Sequence, residues 1–294
     1  MDDGKNIFSP SFITRTLREH SLSLKTKFGQ NLLINRDLAL RILQYSELRK
    51  NSTVLEIGPG LGALTFFLAE RVKQVISVEI DGGLARYLKE KTHKLGLKNI
   101  ELINGDFLRL HPDDIYADIS DVGIPGKVVS NFPYNIALKA ILKIIDEYDN
   151  VDEVVGTVQN EIAKRIVSKP GEKNYSYISV YLQFLANSTI IKKNISPNNF
   201  FPAPEVESAI IRVSRVKQEL PVKKNLFKKI VKAGFSNRRK SLVNNLLSAD
   251  IGMKKSALQT IIRHHFHNIK IRAEQLSVMD FIELTKGLNQ FIQK

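Results

Sequence analysis

The sequence predicts an α/β protein built on a parallel sheet, followed by a small all-helical domain. From residue 50 onward, short runs rich in β-branched residues alternate with helix-forming stretches. Continuous apolar strands separated by amphipathic helices are typical of a parallel sheet that is covered on both faces. After residue 218 the strand pattern stops, and apolar residues recur at three- and four-residue spacing. We therefore predict two domains, residues 1–218 and residues 219–294.

The individual elements follow from the same patterns. The predicted strands are 53–58, 75–80, 100–105, 127–132 and 151–159, and the predicted helices are 61–72, 84–96, 137–148 and 160–168. Two further strand candidates, 182–193 and 207–216, are joined by a proline-rich segment and predict a meander at the sheet edge. Residues 8–24 predict a short N-terminal helix or arm on the sheet domain.

The charge of the chain indicates what kind of partner it binds, and its composition excludes several kinds of chemistry. The chain has 44 Lys and Arg against 30 Asp and Glu, and residues 215–294 alone hold 17 against five. This excess favours a polyanionic partner for the C-terminal domain. The absence of cysteine excludes disulfides, thiolate metal sites and cysteine nucleophiles. We find no signal-peptide pattern and no apolar run long enough for a membrane span, so we expect a cytoplasmic protein.

A glycine-rich loop and two acidic residues predict a nucleoside site. The first strand runs into Gly58 and Gly60, where backbone can approach a ligand closely. Glu79 ends the next strand and could accept both ribose hydroxyls, while Asp106 follows the third strand within reach of an adenine amino group. The glycine spacing in this loop is G-x-G-x-G, which differs from the G-x-G-x-x-G pattern of dinucleotide-binding proteins. Glu56 would oppose a pyrophosphate and suits an ammonium group, so S-adenosylmethionine is favoured and NAD is the alternative.

The segment SNFPYN at 130–135 predicts where a methyl acceptor enters. The amine of adenine is a poor nucleophile, and acceptors that bind its N–H groups offset the charge that develops during transfer. The Asn131 side chain and the carbonyl of Phe132 or Pro133 could be these acceptors, and Pro133 makes the turn rigid. Tyr134 could stack on a base extruded from its strand. This chemistry requires no acid, base or metal.

The ordered set of motifs resembles one known family. KTKFGQNLL (25–33), EIGPGLGALT (56–65), VEID (78–81), GDF (105–107), NFPYNI (131–136), SPNNFFPAPEVES (196–208) and FSNRRKSLVNNL (235–246) are similar to the small-subunit (16S) ribosomal RNA adenine dimethyltransferases of the KsgA type. The resemblance covers nearly the whole chain. Four positions depart from the family pattern: Leu32, Phe132, Ser176 and Glu205. Glu205 stands where lysine is common, which puts an RNA contact of that loop in doubt.

The resemblance implies a Rossmann-like class I S-adenosylmethionine-dependent methyltransferase domain followed by a small helical domain. It implies dimethylation of two adjacent adenosines in a hairpin loop near the 3′ end of small-subunit RNA. The matching motifs imply cofactor contacts at Asn31, Leu33, Gly58, Gly60, Glu79, Asp106 and Asn131. They place Asn131 between the cofactor and the target amine, Tyr134 on the target base and Phe200 on the other face of that base. Pro133 completes the predicted catalytic set because it makes the turn rigid.

The basic helices supply the expected RNA contacts, with Arg238, Arg239 and Lys240 as the densest cluster. Cations at phosphates position RNA without reading sequence. The histidines at 264, 265 and 267 have no cysteine or nearby carboxylate, so we expect no metal site there. We expect a monomer acting on the small ribosomal subunit. The alternatives are a noncatalytic assembly factor, a DNA adenine methyltransferase and the related large-subunit RNA enzyme.

Overall fold

The computed structural model describes residues 7–116 and 125–292. The chain divides into two compact units. The first comprises Met1–Ala163 and Thr189–Arg215, and the second comprises Lys164–Ser188 and Val216–Lys294. The predicted domain division at residue 219 stays a prediction.

A seven-stranded sheet forms the centre of the first unit. Its strands are β2 (Thr53–Ile57), β3 (Gln74–Glu79), β4 (Ile100–Asn104), β5 (Lys127–Asn131), β6 (Glu153–Gln159), β7 (Ala186–Ile195) and β9 (Ser208–Arg215). The order is β4-β3-β2-β5-β6-β9-β7, and the first five strands are parallel while β9 runs antiparallel to β6. This confirms the predicted fold class. The order reverses at β2, and such a switch point opens a crevice at the carboxyl ends of the strands.

The N-terminal helix and the helices that follow β2, β3, β5 and β6 were predicted from the sequence, whereas the helices at 36–45 and 112–116 were not. In chain order the helices are α1 (Pro10–Glu19), α2 (Arg36–Tyr45), α3 (Thr65–Ala69), α4 (Gly82–Lys94), α5 (Pro112–Tyr116) and α6 (Ala137–Glu147), and α7 (Asn160–Val167) follows β6. Asp81 caps α4 because its carboxylate accepts from the Gly83 and Leu84 amides, and Asn35 caps α2 in the same way. In α6, five apolar residues between 137 and 145 repeat at helical spacing and are buried.

Two local predictions differ from the structure, and two short strands were not predicted. Helix α3 is shorter than the predicted 61–72, because Gly62 has a φ of +93° and the chain turns before Thr65. Residues 182–185 were expected in a strand but belong to α8 (Tyr177–Leu185), whose buried residues surround the helix and hide its period. The two-residue strands β1 (Leu32–Leu33) and β8 (Phe200–Phe201), which pair antiparallel, were not predicted.

The second unit consists mainly of helices. Its helices are α8, α9 (Lys224–Gly234), α10 (Leu242–Ser248), α11 (Lys255–Phe266) and α12 (Val278–Ile292). Phe227 stacks on Phe184 with ring centroids 3.8 Å apart, and the Tyr175 hydroxyl donates to the Leu276 carbonyl at 2.8 Å. Among the helices that the structure describes, none has the length and apolarity needed to cross a bilayer.

Candidate functional site

A cavity of about 270 Å³ lies at the carboxyl ends of β2, β3 and β5 in the first unit. The seven residues predicted to contact a cofactor all line it: Asn31, Leu33, Gly58, Gly60, Glu79, Asp106 and Asn131. Pro133 lines it as well, whereas Tyr134 and Phe200 are not among its lining residues. The tertiary fold therefore brings together residues that span a hundred positions of the chain. Their individual roles stay predictions.

The glycine loop after β2 depends on glycine for two physical reasons. Gly58, Gly60 and Gly62 all have positive φ, at +70°, +59° and +93°. Backbone in this region is strained for any residue with a Cβ atom. A Cβ at Gly58 would also lie 2.5 Å from the Pro133 ring, and one at Gly60 would lie 2.5 Å from Leu32. Glycine here thus permits close packing of the protein against itself as well as an open wall for a ligand.

Glu56 is a buried carboxyl in the floor of the cavity. Its side chain is on β2, with the residue only 2% exposed, and one carboxylate oxygen accepts from the Thr65 hydroxyl at 2.7 Å and the Ser77 hydroxyl at 2.9 Å. Burial raises the pKa of Glu56 to about 7, although the two hydroxyl donors oppose this shift. The charge that we expected at this position is therefore partly neutralised near neutral pH.

Glu79 and Asp106 occupy the neighbouring strand ends. The Glu79 carboxylate accepts from the Gly60 amide at 3.1 Å and from the Asp81 amide at 2.9 Å, which ties the glycine loop to the end of β3. Burial raises the pKa of Glu79. Asp106 is more open, and it accepts from the Leu108 amide at 3.0 Å. Both carboxylates keep lone pairs that a ligand can use, because each oxygen can accept more than one hydrogen bond.

Asn131 is held at both ends of its amide group. Its Nδ2 donates to the Asn31 carbonyl at 2.8 Å, and its Oδ1 accepts from the Thr157 hydroxyl. Thr157 was missed by sequence reasoning, because a threonine within a strand gives no sign of its neighbour across the sheet. These contacts connect Asn31, β5 and β6 at one point of the cavity wall.

Tyr134 and Phe200 form an aromatic pair beside this point. Their ring centroids are 6.2 Å apart with planes at 69°, an edge contact. The Tyr134 hydroxyl shares a short hydrogen bond with the Ser208 hydroxyl, and burial raises the pKa of Tyr134. Phe200 is almost fully buried. No contact among the described residues tests the stacking roles of Tyr134 and Phe200, which stay predictions.

Residues 27–33 line one side of the cavity, and some of their contacts were not predicted from the sequence. Gly29 has a φ of +64°, its carbonyl accepts from the Tyr134 amide at 3.2 Å, and a Cβ there would lie 2.7 Å from the Asn135 amide nitrogen. Gln30 lines the cavity, and within residues 7–116 and 125–292 its buried Nε2 finds no hydrogen-bond partner. A buried donor without a partner costs free energy. Gln30 therefore offers a donor to a ligand in the cavity.

These features fit S-adenosylmethionine better than a dinucleotide. The Gln30 amide offers a donor suited to an amino-acid carboxylate, while Glu79 and Asp106 offer acceptors for ribose and adenine groups. Ile80 and Leu108 add apolar walls. Glu56 lines the cavity together with the glycine loop, and in its ionised form it would repel the pyrophosphate of a dinucleotide.

The predicted RNA cluster lies in the second unit. Arg238, Arg239 and Lys240 are exposed in the turn between α9 and α10. Arg238 also pairs with Glu274 at 3.2 Å and donates to the Lys173 carbonyl at 2.9 Å. Its guanidinium is thus partly used within the protein.

Comparison with solved structures supports the fold assignment. A dimethyladenosine transferase from Plasmodium falciparum aligns with a TM-score of 0.74 at 22% identity, covering 88% of this chain and 98% of that one. The 23S rRNA methyltransferase ErmE aligns with a TM-score of 0.64 at 27% identity, covering 88% of this chain and all of that one.

Sequence comparison gives the family. The ribosomal RNA small subunit methyltransferase A of Lachnoclostridium phytofermentans is 35% identical over 285 residues, which is 96% of this chain and 97% of that relative. The protein of the same name from Borreliella burgdorferi is 36% identical over 292 residues, 97% of this chain and 96% of that relative. The model of the ribosomal RNA adenine dimethylase family matches residues 21–290. The chain therefore belongs to the ribosomal RNA adenine dimethylase family, and it is an S-adenosylmethionine-dependent methyltransferase.

Proposed function

We propose that this protein dimethylates the N6 amines of two adjacent adenosines in a hairpin loop near the 3′ end of small-subunit ribosomal RNA. The main support for the proposal is that the seven residues predicted to hold the cofactor, Asn131 among them, line the same cavity as Pro133. A cofactor there would face the turn at which the target amine is expected. The reaction uses four molecules of S-adenosylmethionine for the two adenosines.

The bound cofactor supplies a methyl group on a positively charged sulfur, and the residues of the chain bind and orient both reactants. Glu79 and Asp106 would hold the ribose and the adenine of the cofactor, and the Gln30 amide would hold its carboxylate. The Asn131 Oδ1 would accept a hydrogen bond from the target amine. That contact lets the nitrogen lone pair leave conjugation with the ring and offsets the positive charge that grows on it. Alignment of amine and methyl then lowers the barrier further.

The small subunit is favoured over the large subunit as the substrate. Relatives named small subunit methyltransferase A are 35–36% identical across 96–97% of this chain, whereas the 23S rRNA methyltransferase ErmE is 27% identical over 88%. A noncatalytic assembly factor would not need the Asn131 amide fixed at both ends. We propose that the protein acts as a monomer in the cytoplasm. Arg239 and Lys240 would contact phosphates of the ribosomal RNA.

The test is methyl transfer from labelled S-adenosylmethionine into small subunits that lack the modification. Large subunits and duplex DNA are the controls, and mass spectrometry of the digested RNA identifies the product. We expect label in the small subunit, recovered as N6,N6-dimethyladenosine. Label mainly in either control would reject the substrate, and monomethyladenosine after exhaustive reaction would reject dimethylation.

A further inference from the structure

We propose that Thr157 is a positioning residue that restrains the Asn131 oxygen in the direction needed by the target amine. Thr157 lies on β6 directly opposite Asn131 on β5, and it is fully buried. Its hydroxyl donates to Asn131 Oδ1, while the Nδ2 of the same amide donates to the Asn31 carbonyl at 2.8 Å. An amide group has distinct donor and acceptor ends. The Asn31 carbonyl can only accept and therefore selects the orientation of the amide, and the Thr157 hydroxyl then restrains the oxygen on the other side.

The hydroxyl itself is held firmly in place. Threonine is branched at Cβ and therefore stiff at its first side-chain torsion. The Thr157 carbonyl accepts from the Phe132 amide at 3.2 Å, which joins β6 to the start of the turn. A Cβ at the adjacent Gly156 would lie 2.1 Å from the Ser130 carbonyl oxygen, so the two strands approach closely here because that residue is glycine. The donor to Asn131 is thus part of the rigid sheet and not of a loop.

This arrangement leaves one lone pair of Asn131 Oδ1 for the target amine. A carbonyl oxygen has two acceptor sites, and the Thr157 hydroxyl occupies one. Removing the hydroxyl leaves Nδ2 tied to Asn31 but removes the contact that restrains the oxygen. The oxygen then spends less time where the amine must meet it, and a small displacement of a catalytic contact lowers the rate of transfer.

The two methyl transfers differ in their need for this oxygen. The unmodified amine has two N–H groups, and after one transfer it has a single N–H. We infer that the second transfer depends more strongly on a fixed Asn131, because fewer alternative hydrogen bonds remain. This part of the inference rests on the proposed function. Loss of the Thr157 hydroxyl would then slow both transfers and lead to accumulation of the monomethylated product.

The experiment compares Thr157→Val, Thr157→Ala and Thr157→Ser with the parent protein. Valine keeps the shape and removes the hydroxyl, alanine removes the hydroxyl with a smaller side chain, and serine retains the hydroxyl. Thr92→Val is the matched control, because the buried Thr92 hydroxyl donates to the Lys89 carbonyl in its own helix. Unfolding in urea establishes which variants are folded.

We expect kcat on unmodified small subunits to fall about 10-fold in the valine and alanine variants, the size expected for one hydrogen bond. The KM for each substrate should stay at the parent value, monomethyladenosine should accumulate, and the serine and control variants should match the parent. A folded valine or alanine variant with the parental kcat and product ratio would overturn the inference. So would a loss that serine does not restore.

A second measurement keeps this inference separate from the proposed function. The Asn131 side-chain amide signals in an NMR spectrum, assigned with Asn131→Ala, report the orientation of the group without turnover. We expect one sharp pair of amide proton signals in the parent protein and broadened signals in Thr157→Val. Unchanged signals would refute the positioning role even if the parent proved inactive on small subunits. A parent with sharp signals but no methyl transfer would refute only the proposed function.

Discussion

Replacement of Glu56 by glutamine should change how the stability of the protein depends on pH. Burial raises the pKa of Glu56 from 4.5 to about 7. Between these values the folded protein holds a proton that the unfolded chain releases, so the free energy of unfolding falls as pH rises and the loss is complete above about pH 7. Each pH unit between the two pKa values lowers the free energy of unfolding by about 1.4 kcal/mol. The change between pH 5.5 and pH 8 is then about 2 kcal/mol for this one carboxyl group.

The assay is urea unfolding of the parent and of Glu56→Gln at half-unit steps from pH 5.5 to pH 8. Glutamine keeps an oxygen that can accept from Thr65 and Ser77 but does not titrate in this range. We expect the variant to become more stable relative to the parent by about 2 kcal/mol as pH rises. Because the comparison is between two proteins at each pH, other titrating groups largely cancel. A difference that stays constant with pH would refute the reasoning.

Three further predictions concern the turn, the glycine loop and the basic cluster. Asn131→Ala should abolish methyl transfer while filter binding still detects the RNA complex, and a variant that transfers methyl normally would remove Asn131 from its role. Gly58→Ala should lower the free energy of unfolding in urea by about 3 kcal/mol, because it adds both positive-φ strain and a 2.5 Å clash with the ring of Pro133. The control Gly96→Ala has a similar φ but nothing within 4 Å of the added atom, and should cost only about 1 kcal/mol. Joint replacement of Arg239 and Lys240 by alanine should reduce the slope of log affinity against log salt by about 1.5, and an unchanged slope would exclude both as phosphate contacts.

The strands and most helices were predictable because their patterns are local. Alternation of β-branched runs with amphipathic stretches predicted β2 through β6, and the apolar spacing at 137–145 predicted α6. The boundary of α8 was missed because a helix buried on nearly all sides has no period to detect. The small β1–β8 sheet was missed because each strand has only two residues.

The sequence by itself determined the fold class, the order of the strand-end motifs and the family, since these depend on residues close together along the chain. Only the tertiary structure decided which side chains meet. The pairs Asn131 with Thr157, Tyr134 with Ser208 and Asn135 with the Lys27 carbonyl are separated by 26, 74 and 108 residues. The raised pKa of Glu56 likewise comes from its burial in the folded protein. Such contacts depend on the order of strands in the sheet, and no local pattern along the chain specifies that order.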